Sequence, residues 1–549
     1  MKHKLIFKIT TLLVSLSSLS ILPAVLSAPK LTVVMVLDQF AYHELQKLRP
    51  FFKGGLKFLA DHGINYTNAI HPHGMPETAT GHTTIGTGTL AKNHGIIGNR
   101  WFNEEGKLFD ADDDAAAQVF APDGSLYKHG KSPKRIMVDS LSDQLMMNSY
   151  PQAPNKSIAL SLKSRAAIGM AGRLGKALWV DEKSGLFTSS KAYYDKLPSW
   201  VTQFNQKNRM DKLDHFTWNL AYPNRPQAYN FNHINNYAYN KEGHSIIGKP
   251  ITIDRTVKDP FEYFQKTPFA NKYLLDCAKE CLDQELSNNP EERLVLWVSL
   301  SSLDKVGHGF GPYSLELIDM LYHIDQHLAD FIQHIYSKVS PEDVLFALTA
   351  DHGVRPIIEI VRDDGFDLAH RWKTQDIIDA VNLHITEKYG LEPVIANFTM
   401  PSFYLNKKLI SSLEPNFRKE ILQEIKAFLR TQIPGIAHIW EFDELNKLPL
   451  EFNDTSNYLK NQLYKDRTGE LIIKVMPYNF IDSFLDATTH GTPYDYDTHV
   501  PLILYQPDQL ENKTVTKRVY IPQLTVTLAD ILNIPRPSAS TFEVLPETL

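Results

Sequence analysis

An α/β fold with a central, mostly parallel sheet sandwiched by helices is what this 549-residue chain predicts. Three observations carry the prediction. Short runs of Val, Ile and Leu read as strands buried on both faces. Amphipathic stretches at helical spacing lie between them. Acidic residues stand just past several runs, where open α/β sheets collect their ligands.

The elements follow in order. LTVVMVL (31–37) leads into Asp38, RLVLWVSL (293–300) toward Asp304, and DVLFALTA (343–350) into Asp351. HVPLILY (499–505) follows the last histidine-bearing segment and is read with the others as a buried parallel strand. Residues 315–336 place Leu317, Leu321, Ile324, Leu328, Phe331, Ile332 and Ile335 at helical spacing, and 415–433 form a second such helix. The stretches from about 103 to 155 and 200 to 265 are rich in Asn, Tyr, Asp and Pro and weakly periodic. They read as inserted cap segments that roof or rim a site. Residues 360–475, ending in the strand-like ELIIKVM (470–476), read as an inserted subdomain. No internal repeat interrupts the chain.

Composition narrows the class. With 43% hydrophobic residues the chain can bury a large core, and a net charge of −6 supplies no broad basic face for nucleic acid. Lys2, Lys4 and Lys8 precede an apolar stretch to about Leu26, and Ser27 and Ala28 offer a cleavage site before Pro29. Residues 1–28 therefore read as a signal peptide, 29–549 as the mature catalytic domain, and the protein as exported, periplasmic or secreted. No later segment is long and apolar enough to span a bilayer. Cys277 and Cys281 are the only cysteines, four residues apart in a helix-like stretch. Oxidation after export and two ordinary thiols are both open to them, and two cysteines without nearby histidine make no zinc site.

Seven potential ligands sit in short, widely separated motifs: Asp38, Thr78, Asp304, His308, Asp351, His352 and His490. Hard carboxylates plus imidazoles suit a two-metal hydrolytic site. Thr78, in PETATGHTTIGTG (76–88), precedes a segment able to open a helix, whose N-terminus would favour an anion. A threonine is a poor nucleophile unless a bound cation lowers its pKa; taken alone, it reads more simply as a helix N-cap. Asp304 and His308 in DKVGH would share a face on a helical turn, or could converge in a Gly-containing loop, and Asp351 and His352 follow a strand directly. His499 rivals His490 as the last ligand, but core packing suits a residue that opens a buried strand. Asn99, Lys163 and Arg165 form a polar and cationic set. Lys163 and Arg165, two apart, would project to one side of an extended segment and grip phosphoryl oxygens, with the Asn99 amide donating to another.

These pieces resemble the alkaline phosphatase superfamily, and most of all its phosphate-irrepressible alkaline phosphatase branch, which uses a Thr nucleophile and Asn, Lys and Arg on the phosphate. The matching motifs are VLDQ (36–39), TATGH (78–82), HGIIGNRW (94–101), KSRAAI (163–168), SSLDKVGHGFGP (301–312), TADHG (349–353) and HGTPYDYDTHVPL (490–502). The resemblance implies two zinc ions per chain, one held by Asp38, Thr78, Asp351 and His352, the other by Asp304, His308 and His490. It implies attack on phosphorus by Thr78, with Asn99, Lys163 and Arg165 on the non-bridging oxygens. Small phosphorylated substrates and inorganic phosphate are the expected partners. Thr80 departs from the more usual Pro of the nucleophile motif, and Glu77 beside Thr78 is expected to point away from an anion. A nucleotide pyrophosphatase/phosphodiesterase of the same superfamily is the rival reading, against which Lys163 and Arg165 favour monoesters. A sulfatase would need Cys or Ser where Thr78 stands. A non-catalytic binding protein would have no use for all seven ligands.

Overall fold

A computed structural model describes residues 28–548 apart from 236, 240, 241, 483–486 and 511. The expected signal peptide lies almost wholly outside the described residues. Among these, no helix is long and apolar enough to cross a membrane.

The centre is a nine-stranded sheet. Its strands are β1 (Leu31–Leu37), β2 (Ile64–Tyr66), β3 (Lys156–Ser161), β4 (Lys176–Val180), β5 (Phe187–Thr188), β6 (Leu294–Leu300), β7 (Val344–Thr349), β8 (Leu502–Tyr505) and β9 (Thr514–Val515). Their order is β5-β4-β3-β6-β1-β7-β8-β2-β9. Five adjacent strands, β4, β3, β6, β1 and β7, run parallel. Every residue of β1, β6 and β7 is buried, which is why these segments read as unbroken apolar runs.

One expectation is corrected here. The run HVPLILY is not a parallel strand. It breaks at Pro501 into His499–Val500 and β8, and β8 pairs antiparallel with β7, Leu502 opposite Thr349. An apolar run records burial on both faces but carries no direction. The reversal matters to the site. Because β8 enters the sheet from the edge where β7 leaves it, the residues before β8, His490 among them, meet the residues after β7.

Five helices position the chemistry: α1 (Thr78–Thr87), α2 (Ser164–Ala171), α3 (Pro268–Glu285), α4 (Ser302–Phe310) and α5 (Leu315–Tyr336). Helices α1 and α2 pack closely because glycines meet at their crossing; a Cβ on Gly86 would lie 2.3 Å from the Gly169 carbonyl oxygen. Gly81 plays the same part against the site, since its Cβ would lie 2.4 Å from the Asp351 carbonyl oxygen. Cys277 and Cys281, on α3, are buried and unbonded to one another.

Residues 374–475 include four antiparallel strands, in the order Ile395–Thr399, Ser402–Leu405, Leu471–Val475, Ile436–Glu441. Helices Thr374–Tyr389 and Pro415–Gln432 cover them with a separate apolar core that includes Ile377, Val381, Ile421, Ile425 and Leu429. Among its contacts with the main body, Asn461 donates to the Pro72 carbonyl, Arg467 bonds the Gly95 and Arg135 carbonyls, and Tyr404 joins the main core. The Gln462 side chain holds Met75 by both main-chain groups, at 2.7 and 2.8 Å, and donates to the Ile97 carbonyl.

Candidate metal centre and active site

Four adjacent parallel strands end at one edge and hand over the site. Asp38 follows β1, Lys163 follows β3, α4 with Asp304 and His308 follows β6, and Asp351-His352 follows β7. His490 arrives from the loop ahead of β8. That loop is closed by Asp497, which accepts from the Thr492 N–H at 2.8 Å and its hydroxyl at 2.6 Å. Gly491 supplies the φ of 103° that the loop needs.

Two ligand groups form from buried side chains: Asp38, Asp351 and His352, and beside them Asp304, His352 and His490, each with donor atoms within 4.8 Å of one another. His352 belongs to both, and its ring stacks on that of His490 with centroids 3.6 Å apart. His308 joins at the rim, its Nε2 3.2 Å from Asp304 Oδ1.

The histidine tautomers are set by their neighbours. His352 Nδ1 lies 3.0 Å from the Gly353 carbonyl, His490 Nδ1 2.9 Å from that of Pro76, and His308 Nδ1 3.1 Å from that of Thr488. A carbonyl only accepts, so each Nδ1 carries the hydrogen and each Nε2 lone pair faces the carboxylates. This is the arrangement a metal-ligating imidazole adopts. Burial holds the His352 pKa well below the ordinary value, which keeps the ring in its ligand form.

Asp38 Oδ1 and His352 Nε2 are buried without a hydrogen bond among the described residues, and beside them Asp351 Oδ2 is approached by the His82 ring at 3.1 Å. His352 Nε2 lies 3.5 Å from the first oxygen and 3.3 Å from the second. Converging, orphaned, electron-rich atoms of this kind are costly unless a cation satisfies them. Burial, then the neighbouring Asp351 charge, pushes the Asp38 carboxyl up to about 8. Burial works the same way on Asp304, but Lys163 and then His308 outweigh it and hold that group well below the usual carboxylate range. Three carboxylates against one buried lysine leave a charge excess that suits divalent metal. The mixed O and N donors fit a divalent transition metal, zinc among several.

The Lys163 ammonium sits at the centre. It donates to Asp38 Oδ2 at 2.6 Å, to Asp304 Oδ2 at 2.5 Å and to Thr78 Oγ1 at 3.2 Å. Lys163 and Arg165 are not on an extended segment, as their spacing suggested. Lys163 is the N-cap of α2 and Arg165 lies in its first turn. The Ala-rich stretch that follows favours helix, and the pair separates, Lys163 turning into the carboxylates. Arg165 is half-buried, with no hydrogen bond to Nε among the described residues.

Thr78 is not the N-cap of α1. Glu77 holds that position, and Thr78 is the first helical residue, its hydroxyl toward Lys163. Asn99 caps the helix from outside: its Oδ1 accepts from the Ala79 N–H at 2.9 Å, which leaves its Nδ2 as a donor. The Glu77 carboxylate is turned onto the Asn99 N–H at 2.5 Å, so it fixes the Asn99 loop. His499 sits apart, stacked on Tyr42 and bonded to the Thr67 carbonyl.

Three supporting residues escaped sequence reasoning. Gln39 bonds both Asp304 and Asp351. His82, one turn after Thr78, places Nδ1 3.1 Å from Asp351 Oδ2 and Nε2 2.8 Å from Ser299 Oγ. Asp112 accepts from Ser164 Oγ and Lys131 at the start of α2. A signal existed for His82, since helical spacing from Thr78 puts both on one face. For Asp112 there was none.

The model of the family described as type I phosphodiesterase/nucleotide pyrophosphatase matches residues 32–491, most of the chain. The chain belongs to that family. Within this family and the wider alkaline phosphatase superfamily, it is 28% identical to alkaline phosphatase PafA of Elizabethkingia meningoseptica, over 95% of this chain and 94% of that protein. It is 27% identical to alkaline phosphatase PhoV of Synechococcus elongatus, over 96% and 94%. The crystal structure of wild-type PafA superposes with a TM-score of 0.82 at 26% identity, covering 95% of this chain and 99% of that one. The family member described here thus has a PafA-like α/β fold with a large mixed sheet between helices.

Proposed function

We propose that this chain is a metal-dependent alkaline phosphatase, a phosphoric monoester hydrolase that works through a phosphothreonine at a two-zinc site. The observation that carries the reading is one ammonium in contact with Thr78 Oγ1, Asp38 and Asp304 together. It puts a hydroxyl at the junction of the two ligand groups.

Asp38, Thr78, Asp351 and His352 would hold one zinc, and Asp304, His308 and His490 the other. Bound there, the ions would lower the pKa of the Thr78 hydroxyl and neutralise charge on the attacking and leaving oxygens. The chain's own residues do the rest. Thr78 Oγ bonds to phosphorus as the ester P–O bond breaks and the leaving group departs with its oxygen. The first turn of α1 favours the negative charge so gathered. Asn99 Nδ2 and Arg165 donate to non-bridging oxygens, and Lys163, already against Thr78, lies within reach of a third. Water then attacks phosphorus, releasing inorganic phosphate and restoring Thr78. Positioning and charge, more than covalent chemistry, set the rate.

The family's phosphodiesterase members supply the alternative. A diester has one fewer charged oxygen and one more organic group, so it gains less from Arg165 and Lys163. Turnover of a phosphate monoester and a matched diester decides between them: a monoester preference supports the proposal, and a diester preference overturns it. The amino-terminal segment supports export to the periplasm or beyond. Small phosphorylated compounds are the proposed substrates.

A further inference from the structure

We propose that Gln39 is a positioning residue that sets the two ligand groups relative to one another, a proposal that rests on the two-ion reading above. Gln39 is fully buried and follows Asp38 of the first group. Its main-chain N–H donates to Asp351 Oδ1, in that same group, at 3.1 Å. Its Nε2 donates to Asp304 Oδ1, in the second group, at 2.8 Å. One residue is therefore bonded to a carboxylate of each group and joined covalently to a third.

Two features show that the position is held against local preference. Gln39 has φ of 68°, the left-handed region that residues with a Cβ seldom occupy. Its Oε1 is buried with no hydrogen bond among the described residues. Such features persist where the surroundings over-determine them, and they cluster at functional sites. The neighbouring helix is shaped to receive the amide. A Cβ on Gly307 would lie 1.6 Å from Gln39 Oε1, so only glycine, between Asp304 and His308 on α4, leaves room for it.

The bond from Nε2 fixes the rotation of the Asp304 carboxylate. Oδ1 is thereby kept toward His308 and His490, at 3.2 and 3.5 Å, and Oδ2 toward Lys163. Without that donor the Lys163 ammonium still holds Oδ2, but Oδ1 loses the bond that aims it at the histidines, and the second group loses its geometry. Partners that orient metal ligands typically change metal affinity about 10- to 100-fold when removed.

The test is zinc uptake by the mature protein after dialysis against chelator, read by calorimetry, with cobalt(II) absorption as a second readout. Gln39→Met keeps the length of the side chain without its donor. Gln39→Gly accepts the left-handed backbone without strain and keeps the main-chain bond, so it reports on the amide even if the Met variant folds poorly. Expected are two ions in the wild type, and in both variants about 10- to 100-fold weaker uptake of one of them with an altered cobalt spectrum. Two ions bound by the variants with wild-type affinity, whatever their Tm, overturn the role of Gln39 and leave the two-ion reading standing. A wild type that takes up fewer than two ions overturns that reading and this proposal with it.

Discussion

Thr78, Asn99 and Arg165 divide the proposed work at the scale of single residues. Thr78→Ala is expected to lower kcat by at least about 1,000-fold while zinc content measured by mass spectrometry stays near two ions, because most donors remain. Asn99→Ala removes one donor to a developing charge and is expected to lower kcat about 100- to 1,000-fold. Arg165→Met should reduce monoester turnover more than diester turnover, so the ratio of the two rates falls; an unchanged ratio would count against a phosphate-gripping arginine. Asp38, Asp304, Asp351, His352 and His490, which the fold brings together, stood out in the chain because metal chemistry restricts residue type and strand ends restrict place; their binding of metal is a proposal, as are the roles of Thr78 and His308. The partners behind them could not. A buried glutamine such as Gln39 looks in sequence like any surface glutamine, and only the folded register brings it to Asp304.

Secondary elements impose a second layer of constraint. Helix α1 rests on Asp351 through Gly81, so Gly81→Ala must push the helix or the ligand aside. Overpacking of this kind costs about 1–3 kcal/mol, and the variant is expected to show a lower Tm together with weaker zinc binding. Burial also keeps histidines around this helix neutral. It depresses His71 to about 4 and His94 to about 3, and holds His73 well below its usual range. Their folded pKa lies below the unfolded value near 6.5, so the unfolded chain binds more protons in acid. Their contribution is complete above about pH 6.5 and is lost as pH falls toward the folded values, at about 1.4 kcal/mol per histidine per pH unit. Urea unfolding at pH 7.5 and 5 should therefore show the chain less stable at the lower pH. The long strands and the helix at 315–336 were readable because burial leaves a period in sequence. The direction of β8 was not, and neither was the helical start at Ser164, where a two-residue spacing suits a strand and a helix turn alike.

At the scale of the whole molecule, the sheet topology explains why ligands hundreds of positions apart meet. Parallel strands β3, β6, β1 and β7 deliver their following residues to one edge, and antiparallel β8 brings its preceding loop to the same place. Removing metal from such a cluster leaves buried carboxylates facing one another. Chelation is thus expected to abolish activity and to lower Tm, since a ligand bound only by the folded state stabilises it by mass action. A chelator-insensitive, active protein would contradict the metal scheme. Membership of the fold class was visible in the order of elements, whereas the packing between the main body and the unit at 374–475 depends on contacts that no periodicity records.

Gln462 gives that packing a thermal consequence. Through it, a unit with its own apolar core grips Met75 and Ile97, the segments that lead into Thr78 and Asn99. If that outlying core melts first, the grip is released while the nine-stranded sheet is still folded. Heating should then silence the enzyme some degrees before it unfolds globally, and a mild protease digest at that temperature should cut first among residues 374–475.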